Sequence, residues 1–111
     1  MTIDAPVPQM PRRVRVGSRW YTLSRVVRID GVDAWGETAA NANTIKIRDD
    51  VPETHMPEMM LHEFIHAILM DRDLDGAKAD EHFVFSFTHG LTAVLQDLGW
   101  LPTRLKLADD G

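Results

Sequence analysis

The feature that most constrains this chain is a helix-spaced apolar run carrying two histidines and a glutamate. Leu61, Phe64, Ile65 and Ile68 recur at the three- and four-residue steps of an α-helix. Inside that run stands His62-Glu63-Phe64-Ile65-His66. Residues four apart share a helix face, about 6 Å apart along the axis. Two imidazoles so placed can converge on one metal ion at about 2.0–2.1 Å each. Glu63 lies one residue on, about 100° around the axis. It reaches the border of such a site without occupying it, which suits a base that takes a proton from metal-activated water. The wheel places both histidines away from the centre of the apolar stripe. The stripe is therefore expected in the core and the histidines in a cleft or at the surface.

Two histidines do not complete a zinc site, so a third protein ligand is needed. The metzincin extension requires glycine at 69 and histidine at 72, where this chain has Leu69 and Arg72. The candidates stand at the start of the next helical pattern: Asp80, Glu81, His82 and, further on, His89. On that wheel His82 and His89 point mainly to solvent, and Asp80 is short and suited to capping. Glu81 falls at the border of the buried face, where it can look across at the first helix. It is the leading candidate, with His82 and Asp80 as alternatives.

The rest of the chain reads as strands followed by helices, an α+β pattern. Residues 1–11, with Pro6, Pro8 and Pro11, read as a flexible leader. A single domain is expected over 12–111. Its strands span about 12–48: Val14 and Val16 alternate with arginines, Trp20 to Ile29 is rich in β-formers, and Ala34 to Thr38 is a third short piece. Thr44-Ile45-Lys46-Ile47-Arg48 alternates polar and apolar like a strand with one buried face. The first helix is expected over about 55–71, with Thr54 or a neighbour as its cap and Pro57 tolerable in the first turn. The second spans about 79–98, with Val84, Phe87, Leu91, Val94 and Leu98 as its buried stripe and Gly99 ending it. Trp20, Trp35 and Trp100 are expected at the core or its edge, and Met56, Met59, Met60 and Met70 as packing around the first helix.

Composition narrows the function classes. The chain has 111 residues and no cysteine, which excludes disulfides, thiolate zinc sites and cysteine nucleophiles. The net charge is −5, with a basic excess before residue 49 and an acidic excess after it. That balance argues against a nucleic-acid partner. Arg12, Arg13, Arg15, Arg19, Arg25 and Arg28 read best as a solvated sheet face. No apolar signal segment and no run of about 18 apolar residues is present, so a cytoplasmic protein without membrane contact is expected. Asp71-Arg72-Asp73-Leu74-Asp75-Gly76 mimics half a calcium loop, but its twelfth position is His82 rather than glutamate.

The motif His62-Glu63-Phe64-Ile65-His66-Ala67, followed by Glu81 opening a helix with Val84 and Leu91, resembles the small gluzincin metallopeptidases. It is similar to phage-encoded zinc peptidases and to ImmA/IrrE-type proteins. Gly36, then Ile45 and Ile47, resembles their glycine turn and edge strand before the active-site helix. The likeness covers roughly residues 36–98, and His82 as ligand would instead resemble the SprT-type proteases. The gluzincin resemblance implies a minimal zincin fold: a small twisted, antiparallel-rich sheet packed on an active-site helix and a glutamate-bearing helix. It implies one zinc per chain held by His62, His66 and Glu81, with Glu63 as catalytic base. A peptide or protein would be the substrate.

On this reading Thr44–Arg48 is an edge strand that presents a peptide through Thr44, Ile45 and Lys46, with Lys46 and Arg48 favouring acidic substrates. The oxyanion stabiliser is open among Tyr21, His55 and His89. Residues 101–111 either seal the second helix or lie over the cleft as a lid. The alternative function is a metal-stabilised binding or regulatory module with little or no hydrolytic activity.

Overall fold

A computed structural model describes residues 6–29, 34–72 and 81–108. The fold is α+β, a four-stranded mixed sheet with two helices. Strand β1 (Arg13–Val16) turns at Gly17-Ser18 into β2 (Arg19–Val26), and the two pair antiparallel. Strand β3 (Gly36–Ala39) is followed by one 3-10 turn, Ala40–Ala42, and by β4 (Thr44–Arg48). The sheet order is β1-β2-β4-β3, with β2 and β4 parallel and β3 antiparallel to β4.

This order corrects one expectation. Thr44–Arg48 is an inner strand, and β3 is the edge. The amide of Arg48 donates to the Trp35 carbonyl at 2.9 Å. Residues 35, 37 and 39 therefore exchange bonds with β4, and Gly36 and Thr38 turn their N–H and C=O groups outward. Thr44 and Lys46 spend their backbone groups on β3, and Ile45 spends its on β2. None of the three has a free edge for a peptide. Arg48 is paired with Asp50 at 2.6 Å, and Lys46 stands opposite Glu37 in the register.

Helix α1 (Met56–Asp71) lies across one sheet face, and α2 (Glu81–Asp97) packs on α1. Pro57 sits in the first turn of α1, where its missing N–H is harmless. The N-cap is His55, the neighbour of Thr54, and it makes no side-chain cap bond. The core joins Val16, Tyr21, Leu23, Ile45 and Ile47 of the sheet to Met56, Met60 and Ala67 of α1. Val51, Leu105 and Leu107 complete it.

Both helical stripes expected in the core are covered only in part: Val84 is buried and Phe64 packs against the core, but most of the others are not fully covered. On α1 the buried residues are Met56, Pro57, Met60, His62, Glu63 and Ala67, whereas Leu61, Phe64 and Ile65 are half-buried and Ile68 is exposed. On α2 the buried residues are Val84, Thr88 and Thr92, whereas Phe87, Val94 and Leu98 are exposed. The cause is the stacking order. The sheet takes the Met60–Ala67 arc of α1, and α2 takes the arc that includes the histidines. Ile68 on α1 and Phe87, Val94 and Leu98 on α2 fall outside both. Trp20 and Trp100 are exposed too, and the Arg13 guanidinium lies 4.7 Å from the Trp20 ring centre.

The two ends of the domain are tied to each other. Met10 N–H donates to the Lys106 carbonyl at 2.8 Å, and Lys106 N–H donates to Pro8 at 3.1 Å. Leu105 N–H donates to the Glu53 carbonyl at 3.0 Å, and Arg104 pairs with the Glu53 carboxylate at 2.7 Å. Residues 104–107 of the tail are thus built into the core and its edge rather than laid over the histidines. Residues 8–10, read as leader, are held in this bridge. The β1–β2 turn is locked as well. Gly17 has φ +61°, and a Cβ there would run into the Asp71 carboxylate. That carboxylate accepts from Ser18 Oγ at 3.1 Å, so α1 ends against the hairpin. Gly99, at φ +76°, ends α2 as expected.

Candidate metal centre

The helical step of four brings His62 and His66 together, with ring centres 4.8 Å apart. The first residue of α2 then reaches both. His66 Nε2 lies 2.6 Å from one Glu81 oxygen, and His62 Nε2 lies 3.4 Å from the other. The three ligand atoms fall within 4.8 Å of one another, so His62, His66 and Glu81 can hold a metal ion. Donors on a tetrahedral ion at 2.0–2.1 Å stand about 3.3 Å apart. The His62 distance meets that spacing, and the His66 distance needs Glu81 to draw back by under about 1 Å. Glu81 is well placed to move, because its side chain is 68% exposed against 11–12% for the histidines. Its backbone sits in the first turn of α2, where a carboxylate is favoured by the helix dipole.

Of the alternative third ligands, Asp80 lies outside the described residues, as do residues 73–76 of the calcium-like loop. His82 is exposed and falls outside the cluster. His89, also exposed, places Nδ1 2.9 Å from Glu58. Tyr21 is fully buried in the core, which removes it as an oxyanion stabiliser. The His55 ring meets Trp35 edge-on at 5.5 Å.

Glu63 is not a member of the cluster. Its side chain turns toward β3, where Thr38 Oγ1 donates to Glu63 Oε1 at 2.8 Å. Oε2 lies against Gly36, where a Cβ would approach it to 3.0 Å. Gly36 is therefore a strand residue whose missing side chain makes room for this carboxylate. Burial pushes the Glu63 carboxyl above its ordinary range, and the Thr38 hydrogen bond pulls it back in part. Burial, and then the neighbouring His66, hold the His62 imidazolium below its ordinary range, against the pull of Glu81. A neutral imidazole is the form that binds a metal.

Thr38 was not visible as a functional residue in the sequence, because nothing near it marks a strand residue that meets a helix 25 positions away. Phe85 was missed too. It lies one turn after Glu81, with its ring 6.0 Å from His62, and it is exposed at the rim of the cluster. The described face around the cluster thus has three parts: the ligand trio, the buried carboxylate on its Thr38 tether, and an aromatic wall.

The raised Glu63 pKa has a consequence for stability. The folded state holds this proton more tightly than the unfolded chain does, so ionising Glu63 costs stability. The cost is absent below the unfolded value of about 4.3, grows as pH rises toward the folded value, and is full above it. Glu63→Gln should therefore raise the melting temperature of the metal-free protein at pH 8. The difference should vanish near pH 4. Thermal melts of both proteins across that range check it.

Among the described residues, no helix is long and apolar enough to cross a membrane. Comparison with family models, curated proteins and solved structures gave no match.

Proposed function

We propose that this chain is a zinc-dependent peptidase of minimal zincin-like design. The observation that supports it best is the convergence of His62, His66 and Glu81 beside a buried, tethered Glu63. A purely structural metal site has no use for such a carboxylate. When bound, zinc polarises a carbonyl and makes water more acidic. His62 and His66 would hold it from one helix face, and Glu81 would close the set from the other helix. Glu63 takes the proton from the attacking water and returns it to the leaving amine. Thr38 holds the carboxylate through Oε1, and the raised affinity for protons suits a base that must also act as an acid.

The strand that would receive a peptide is β3, the edge, rather than β4. An extended peptide can add to the outer edge of β3 through the outward backbone groups of Gly36 and Thr38. Thr38 would then contact the peptide with its backbone and Glu63 with its side chain. Phe85 offers an apolar wall on the other side of the metal centre.

A second reading is favoured by one observation. Helix α2 packs mainly on α1, and the ligand trio joins its first turn to α1. A metal there would staple the helix pair, as in a binding or regulatory module. Zinc-loaded wild type and Glu63→Gln, incubated with a mixed peptide pool, separate the two. The peptidase reading expects cleavage by wild type, its loss on chelation, and a drop of about 10²–10⁴ in the mutant with zinc retained. A structural metal gives zinc binding without cleavage in either protein. Thr38→Val should lower kcat by about tenfold and leave KM and zinc affinity near wild type, with Thr38→Ser recovering most of the loss. Unchanged kcat in Thr38→Val would remove the tether from the mechanism.

A further inference from the structure

The apolar arcs that the sheet and the helix pairing leave uncovered lie on one side of the helix pair. On α1, His62 and Glu63 mark the cleft flank, and Leu61, Ile65 and Ile68 fall on the flank opposite Glu63. On α2, Phe85 touches His62 and marks the same cleft flank. Phe83, Phe87, Leu91, Val94 and Leu98 fall across the buried Val84–Thr88 line from it. Two neighbouring helices thus present one continuous apolar face, turned away from the metal centre. Ile68 is 49% exposed, Phe83 60%, Phe87 50%, Val94 54% and Leu98 53%. The Phe83 and Phe87 rings stack on each other at 5.9 Å.

We infer that this face is the dimer interface between two copies of the chain. Four observations select a second copy. First, Phe87, Leu91, Val94 and Leu98 follow steps of four, three and four, the seam with which identical helices interlock about a two-fold axis. Second, those five exposed side chains supply about 500 Å² per copy, or about 1,000 Å² for a pair, before any polar rim is counted. A biological interface must clear about 1,000 Å² in total and a standard one buries about 1,200–2,000 Å², so these five side chains alone reach the floor and the half-buried Leu61, Ile65 and Leu91 with a polar rim would carry the face into the range. Third, no Asp, Glu, Lys or Arg stands between Glu81 and Asp97, so two copies with net charge −5 can meet there without like charges in contact. Fourth, α2 offers no Lys or Arg to anionic lipid and the α1 side of the face brings Arg72, one turn beyond Ile68, which falls short of the basic face on which a surface-bound amphipathic helix depends. In the dimer both metal centres stay open, because each lies on the opposite flank. The inference does not depend on the peptidase reading.

Sedimentation equilibrium of the full chain, from about 1 to 100 µM, tests it. Wild type should sediment as a dimer of about 25 kDa, twice the 12.6 kDa chain. Phe87→Glu combined with Val94→Glu should raise the dimer Kd by at least about 100-fold, with unchanged far-UV circular dichroism. Ile68→Glu, on the other helix of the same face, should raise it by at least about tenfold. Phe85→Ser, on the cleft flank, should leave it unchanged. A monomeric wild type throughout the range overturns the inference, whether or not the chain binds anionic vesicles. A dimer that survives the double substitution overturns it too. Should the double variant fail to fold, Ile68→Glu decides: a dimer of undiminished strength places the interface elsewhere.

Discussion

Ending the chain at Leu101 should unfold it or lower its melting temperature by at least about 20 °C. The truncation removes Leu105 and Leu107, each only 5% exposed in the core beside Val51 and Met56. Truncating one buried leucine to alanine costs about 2–5 kcal/mol, and a domain of this size has only about 5–15 kcal/mol in all. The backbone bonds to Pro8 and Glu53 and the Arg104–Glu53 pair go with them. A lid would behave in the opposite way, leaving a folded and faster enzyme. Leu105→Ala, which keeps the backbone bonds, should cost about 2–4 kcal/mol by urea unfolding. A stable truncated chain would remove the tail from the core.

Glu81→Ala should weaken zinc binding by at least about 100-fold, more than the loss expected from an outer-shell partner. His82→Ala should leave it unchanged, since His82 lies outside the cluster. The effect is also readable as heat stability. Zinc at a hundredfold excess over its Kd adds about 2.7 kcal/mol to wild type. The same concentration should add little to Glu81→Ala. Competition titration against a chromogenic chelator gives the affinities, and the reverse ranking of the two variants would make His82 the ligand.

The local periods of this chain were legible and their partners were not. Thr44–Arg48 alternates as a strand with one covered face does, and it is one. Alternation is the same for an inner and an edge strand, however, so nothing in the five residues shows that β3 pairs outside them. The histidine pair and Glu81 were legible because four-residue spacing and the first turn of a helix have fixed geometry. Thr38 and Gly36 were not, because their role depends on β3 folding back beside α1. The helix stripes teach the complementary lesson. Leu61, Ile68, Phe87, Val94 and Leu98 carry the pattern of buried residues, and the monomer leaves Ile68 and three of α2 exposed. The pattern reports that a side chain suits burial, not which chain covers it.

If His62, His66 and Glu81 form a metal centre beside Glu63, zinc must sit among them. Anomalous diffraction at the zinc edge from zinc-loaded crystals tests it most directly. One strong peak per chain is expected, within about 2.0–2.2 Å of His62 Nε2, His66 Nε2 and a Glu81 oxygen, with Glu63 outside the ligand set. A peak at other residues, a peak ligated by Glu63, or zinc-soaked crystals with no peak at the trio would contradict it.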